Sequence, residues 1–334
     1  MQKEKVRMLL TAHDHEFRMK HLESFIPSKI YDMHTHIWTE KGQDPSRLAP
    51  SSLRMEAGTD ELRCWSNQLF GDRECHYLLL GTPLKNMNRR NHNLFLQNEV
   101  QKDELSIAGM IATADMSPEE MAENFDSGHF HAVKPYRVFA DDPAHARITD
   151  FIPEKLLEVV DHYRMAVTLH LSFPSGAAAP ENQADLKYLT SRYPGIKWIL
   201  AHCARAFNAN FLTDSIHVLK HLPNIYYDTS AVNDLYTHYL LLKYEDRKRI
   251  MFGSDNIVAG GVKGKYVTYA DSWFYLPGQE HLEHCPTEAV PVVYEQLLQQ
   301  KRAADMLEMN RYEIEDLFFR NAENLIAVLK KRLP

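Results

Sequence analysis

Eight short apolar, β-rich runs, helix patterns between most of them, and polar residues recurring at the C-terminal ends of those runs predict a (β/α)8 TIM barrel of the α/β class. The runs are 30–37, 76–81, 106–113, 131–138, 166–171, 197–201, 224–229 and 250–254. They read as continuous apolar stretches, as strands covered on both faces do. Helix patterns occupy 88–102, 118–125, 153–164, 181–193, 210–222 and 235–248, with Ser117 placed as an N-cap ahead of Pro118 at the first helical position. Residues 1–29 read as a charged helical extension, and 30–334 as one barrel including C-terminal helices. Two long loops, 38–74 after the first strand and 256–286 after the eighth, lie at the barrel end where substrate pockets form.

Composition narrows the class. Of 334 residues, 44% are hydrophobic and 25% charged, which suits a globular chain with a large core. A net charge of -7 without a long basic run argues against nucleic acid, and no apolar stretch is long enough to span a membrane or to serve as a leader. The cysteines Cys64, Cys75, Cys203 and Cys285 form no CxxC, which points to a reduced, cytoplasmic setting. The expected partner is a small molecule, with a homo-oligomer compatible with this composition.

The polar residues at the strand ends carry the chemistry. Asp32, His34 and His36 alternate along the first run, so strict alternation would aim them together, and two convergent imidazoles are what a divalent ion needs from its first ligands. Later runs add Lys134, His170, His202, Asp228 and Asp255 at the same end. Two other HxH pairs fail this test. His13 and His15 lie in a helical pattern, and His129 and His131 alternate out of phase with Lys134. His92, His162, His217, His221 and His238 fall in helix patterns and read as surface residues.

In order, DMHTH at 32–36, VKPY at 133–136, LHLS at 169–172, LAHCAR at 200–205 and FGSD at 252–255 resemble the amidohydrolase superfamily. The likeness is to its amidohydrolase-related branch, which includes aminocarboxymuconate semialdehyde decarboxylase, resorcylate-type decarboxylases and pyrone dicarboxylate lactonases. It runs from residue 30 to the FFRNAENLIAVL segment at 318–329. The resemblance implies a metal held by His34, His36, His170 and Asp255, in this branch usually one Zn2+, with His202 beside the water at the metal. Asp255 would serve as ligand and proton shuttle. Elsewhere in the superfamily a strand-four lysine is carbamylated and bridges two metals; for Lys134 that alternative would bring His170 and His202 to a second ion, whereas the branch implies contact with a substrate anion.

Tyr136, Arg137 and Arg205 lie just past strand ends, where an arginine fork suits a carboxylate. Asp32 is either an acceptor for a ligand histidine or a strand-end residue, and Asp228 matches a recurring position without an assigned role. The expected activity is metal-dependent hydrolysis of a small anionic amide, lactone or ester. The alternatives are nonoxidative decarboxylation of an unsaturated or aromatic acid by the same centre, and a catalytically silent barrel used for binding.

Overall fold

In the computed structural model, residues 10–39, 56–83, 87–278, 283–284 and 288–331 are described. Strands β1 (Lys29–Ile37), β2 (Glu74–Gly81), β3 (Ile107–Ala112), β4 (Phe130–Pro135), β5 (Ala166–Leu169), β6 (Lys197–Leu200), β7 (Ile225–Asp228) and β8 (Ile250–Met251) pair in parallel in chain order. The barrel closes between β8 and β1 through Met33 N–H to Phe252 O (3.0 Å), Asp255 N–H to His34 O (2.8 Å) and a parallel bridge between Thr35 and Asn256. The eight expected runs are the eight strands, with ends differing by a few residues. The fourth stops at Pro135, and Arg137–Phe139 turn into a short 3-10 helix.

Side-chain alternation divides the core in two. Tyr31, Met33, Leu78, Leu80, Ile107, Ala132, Ala166, Ile199 and Met251 fill the barrel interior, while Ile30, Ile37, Tyr77, Leu79, Val133, Trp198 and Leu200 pack outward against the helices. The helix Asn321–Lys330 sets Ala322, Leu325, Ile326 and Leu329 against the interior group and floors the barrel at its N-terminal end. Each large aliphatic side chain so buried contributes about 1.5–3 kcal/mol relative to exposure.

In β1 the alternation changes phase. Asp32 pairs with Tyr77 and Thr35 with Leu79, three residues against two, so β1 carries an extra residue in a bulge. Odd-numbered Tyr31 and Met33 face inward before it, and odd-numbered Ile37 faces outward after it.

The helix expected at 210–222 is two short ones, Ala209–Thr213 and Ile216–Leu219. Between them the hydroxyls of Thr213 and Ser215 donate back to Ala209 O (3.0 Å) and Phe211 O (2.7 Å), competing with the helical ladder. The described part of the first long loop holds the helix Thr59–Phe70, and the second holds an antiparallel hairpin, β9 (Lys265–Tyr269) and β10 (Ser272–Leu276). Residues 40–55, 279–282 and 285–287 of these loops, with Cys285, lie outside the described residues, as do residues 1–9 of the extension. The extension's described part is helical, Ala12–Phe17 running into Arg18–Leu22. No helix among the described residues is long and apolar enough to cross a membrane.

Below the barrel, His76 stands between two carboxylates, Nδ1 at 2.9 Å from Asp103 Oδ2 and Nε2 at 2.8 Å from Glu74 Oε1. Only the doubly protonated ring donates to both. Burial opposes that charge, but the hydrogen bonds and charges of Asp103 and Glu74 outweigh it and raise the His76 pKa. A raised folded-state pKa contributes stability that is complete below about 6.5 and lost as pH climbs through the raised value. Urea denaturation should show the native protein losing more stability than His76→Gln between pH 6 and pH 9. Equal pH dependence in the two proteins would remove the charge on His76 from the account.

Candidate metal centre

The bulge in β1 decides which residues reach the barrel mouth. Without it, His34 and His36 would follow the outward phase of Ile30; with it, both line a cavity of about 290 Å3 together with Lys134, Tyr136, Arg137, His170, His202 and Asp255. Gly253 makes room for this turn of β1, since a Cβ there would stand 2.9 Å from that of His34. Asp32 does not join its neighbours: ahead of the bulge, its carboxylate accepts from Ser254 N (2.9 Å), Ser254 Oγ (2.5 Å) and His34 N (3.3 Å). There it ties β1 to β8 and is absent from the cavity lining, and burial raises its pKa to about 7.

β6 solves the same problem differently. Ile199 is its inward residue, so continued alternation would send His202 toward the helices. Instead the chain turns through four consecutive left-handed residues, His202 (φ 58), Cys203 (φ 51), Ala204 (φ 61) and Arg205 (φ 61), and His202 swings over the mouth. Each costs on the order of 1–2 kcal/mol. Ala206 N donates to His202 O (3.1 Å), Asp228 Oδ1 accepts from His202 N (3.1 Å), and the Arg205 guanidinium donates to Phe173 O. Gly176 permits the close packing, because a Cβ on it would lie 2.8 Å from Arg205 O.

Within the cavity, Asp255 Oδ1 lies 3.1 Å from His36 Nε2 and 3.7 Å from His34 Nε2. Two ligand atoms on a tetrahedral ion at bonds of about 2.0–2.1 Å stand roughly 3.3 Å apart, so these three atoms fit one cation. The far sides of both rings are tied down, His34 Nδ1 to Asp228 Oδ2 (2.8 Å) and His36 Nδ1 to the Tyr136 hydroxyl (3.4 Å), which itself donates to Gly81 O. Such contacts orient a ligand imidazole and leave Nε2 for a metal. Burial lowers the His34 pKa to about 4, so its ring is neutral as a ligand must be. For Asp255 burial is outweighed by the His36 hydrogen bond and the neighbouring histidines, and its pKa falls to about 2.

His170 shares the cavity, its Nδ1 3.1 Å from Leu171 O and its ring centroid 5.1 Å from that of His202, but it stands apart from the tight His34, His36 and Asp255 group. His34, His202 and Asp228 form a second close group. Its polar atoms are committed to one another: Asp228 accepts four hydrogen bonds, leaving that group little to offer a cation. Ser230, which links Asp228 to His202, escaped the sequence reading; its one signal was the Asp-x-Ser spacing in YYDTS.

The cationic residues surround this centre. Lys134 Nζ is buried without a hydrogen-bond partner among the described residues, 5.4 Å from the Tyr136 ring centroid, and burial lowers its pKa to about 8. Arg137 lines the metal cavity and an adjoining one of about 310 Å3, whose other walls include Arg205 and Trp273. Arg205 is therefore one cavity removed from His34 and His36. Each guanidinium is anchored on a backbone carbonyl, Pro143 O for Arg137 and Phe173 O for Arg205. Burial and the charge of Arg137 bring the Arg205 pKa down to about 10.

The pairs His13/His15 and His129/His131 stay outside the cavity, the first in a helix, the second with His131 on the outward phase of β4 and His129 just ahead of that strand. His92 and His238, expected at the surface, are buried; each places Nε2 on a backbone carbonyl, Ile37 O (3.3 Å) and Val232 O (2.9 Å).

No curated protein matches the chain. Among solved structures it is similar to an amidohydrolase from Burkholderia multivorans with bound zinc (15% identity, TM-score 0.56, covering 89% of this chain and 99% of that one). It is also similar to 4-oxalomesaconate hydratase from Rhodopseudomonas palustris (17%, TM-score 0.57, 90% and 96%). A third is a dihydroxybenzoic acid decarboxylase from Polaromonas sp. JS666 with bound manganese and 2-nitroresorcinol (15%, TM-score 0.55, 90% and 97%). At these identities the likeness is one of fold. The family model described as amidohydrolase matches residues 31–325, the whole barrel with its mouth residues, and the chain belongs to the amidohydrolase family.

Proposed function

We propose that this chain is a metal-dependent hydrolase of a small anionic amide, lactone or ester, with one zinc ion per chain held by His34, His36 and Asp255 and completed by His170. A cation at that position supplies an acidified water and polarises a carbonyl oxygen. The observation that carries the reading is the state of His202. Its Nδ1 lies 3.0 Å from Ser230 O, a carbonyl that only accepts, so the proton sits on Nδ1 and the bare Nε2 is left for the cavity. Burial, together with the charge of Lys134, keeps its pKa below the usual value even against Asp255 and Asp228. At neutral pH it is a positioned proton acceptor. Asp255, beside His36, is the second group placed to hold a proton in transit.

Lys134, Arg137 and Arg205 supply the anion recognition. Three buried or half-buried cations without a carboxylate ion pair among the described residues make the two adjoining cavities attractive to a carboxylate. The same feature favours a second reading, nonoxidative decarboxylation of an unsaturated or aromatic acid, and one structural neighbour is a decarboxylase. Zinc is the first choice over manganese because a ligand set of three imidazoles and one carboxylate suits it. The cytoplasm remains the compartment that the free Cys64, Cys75 and Cys203 suggest among the described residues.

Metal analysis is the first check. His34→Ala with His36→Ala should abolish zinc binding, and His13→Ala with His15→Ala should leave it intact; full metal content in the first variant would sink the centre. Prepared with zinc and bicarbonate, the native protein should hold about one ion per chain, and two would indicate a carbamylated Lys134 with His170 and His202 as ligands. A screen of carboxylated lactones, N-acyl compounds and hydroxybenzoates identifies the reaction: a new carboxylate with an amine or alcohol marks hydrolysis, released carbon dioxide marks decarboxylation. On the substrate so found, His202→Ala should keep its metal and lose on the order of 10² to 10⁴-fold in kcat. Loss of the metal along with activity would make His202 a ligand.

A further inference from the structure

Asp228, at the end of β7, is fully buried and does not line the cavity, yet it holds the imidazole of His34 and the backbone of His202. Its Oδ2 accepts from His34 Nδ1 at 2.8 Å. Its Oδ1 accepts from three donors, His202 N (3.1 Å), Ser230 N (3.1 Å) and Ser230 Oγ (2.5 Å). Ser230 Oγ, its own proton given to Asp228, lies 2.9 Å from His202 Nδ1 and 3.2 Å from His34 Nδ1. An ionised carboxylate only accepts, so every proton in this network is assigned by geometry.

We propose that Asp228 is a positioning residue that sets the site from both sides: Oδ2 holds the proton of His34 on Nδ1 and so keeps Nε2 bare toward the cavity, while Oδ1 anchors the left-handed turn from which His202 projects. The effect of Asp228 on metal affinity rests on His34 being a metal ligand, whereas the tautomer of His34 rests on the hydrogen bonds alone.

Asp228→Asn separates the two halves. Three donors hold the amide oxygen in the Oδ1 place, so the NH2 group replaces Oδ2 and faces His34 Nδ1. The ring must then accept there and carry its proton on Nε2, where it opposes a cation. His202 keeps its tautomer in this variant, because Ser230 O still accepts from its Nδ1.

The experiment uses 15N-histidine-labelled, zinc-free protein at pH 8, with His34→Gln and His202→Gln to assign the two rings. In the native protein both rings should be protonated on Nδ1. In Asp228→Asn, His34 should switch to Nε2–H and His202 should not. Zinc affinity, measured by competition with a chromogenic chelator, should fall about 10 to 100-fold, the usual cost of losing the partner of a ligand histidine. A His34 ring protonated on Nε2 in the native protein overturns the proposal, and this outcome needs no variant to fold. An Asp228→Asn protein with the native His34 tautomer and native zinc affinity overturns it equally. Native protein that binds no zinc but shows His34 protonated on Nδ1 would overturn the metal reading and leave the positioning role standing.

Discussion

A strand in a closed barrel sends only every second side chain inward, and this barrel mouth can be assembled only where that rule is broken. Two of its walls depend on such breaks. The extra residue in β1 moves His34 and His36 from the helix-facing phase to the interior, directly above Met33 in the packed core. The left-handed turn after β6 does the equivalent for His202. Lys134 and Asp228 need no such device, because the inward phases of β4 and β7 already deliver them, and Asp255 lies past the end of β8 with a left-handed backbone (φ 58). The site is a meeting of regular strands with two irregular ones.

Both breaks are held by buried carboxylates, and the two differ in charge logic. Asp32 clasps β1 to β8 through neutral donors only, and burial pushes its pKa to about 7. Asp228 faces an imidazole as well as neutral donors, and its pKa falls below the usual range despite complete burial. The pairing partner, not depth, decides which carboxylate stays ionised. The cations are arranged differently: Lys134, Arg137 and Arg205 remain without carboxylate ion pairs among the described residues, an imbalance that an anionic ligand would relieve.

Much of this was legible in the sequence because parallel-strand runs and helix caps are local signals. Ser117 caps its helix on Glu120 N at 3.1 Å, and the apolar runs mark all eight strands. The convergence of His34, His36, His170, His202 and Asp255 on one mouth was also readable, since each sits where a run ends. What escaped was anything set by the register of one strand against another. Simple alternation aims Asp32 with His34, and only the pairing with β2 reveals the bulge between them. Ser230 went unnoticed because its role exists only beside Asp228 and His202. The buried His92 and His238 look like surface residues because an exposed helix face and one packed on a carbonyl carry the same periodicity.

The barrel's floor carries a consequence for how the molecule comes to be. The helix Asn321–Lys330 seals the interior beneath Met33, and beside it Lys29 meets Glu323 at 2.7 Å across 294 residues of sequence. On the ribosome the first strand therefore waits for 294 further residues before its cover emerges. Without it Tyr31, Met33, Leu80 and Met251 lose the apolar cover of Ala322, Leu325, Ile326 and Leu329, and exposed apolar surface of this kind favours aggregation. The same helix that gives the finished barrel an apolar floor leaves its first strand long uncovered during synthesis.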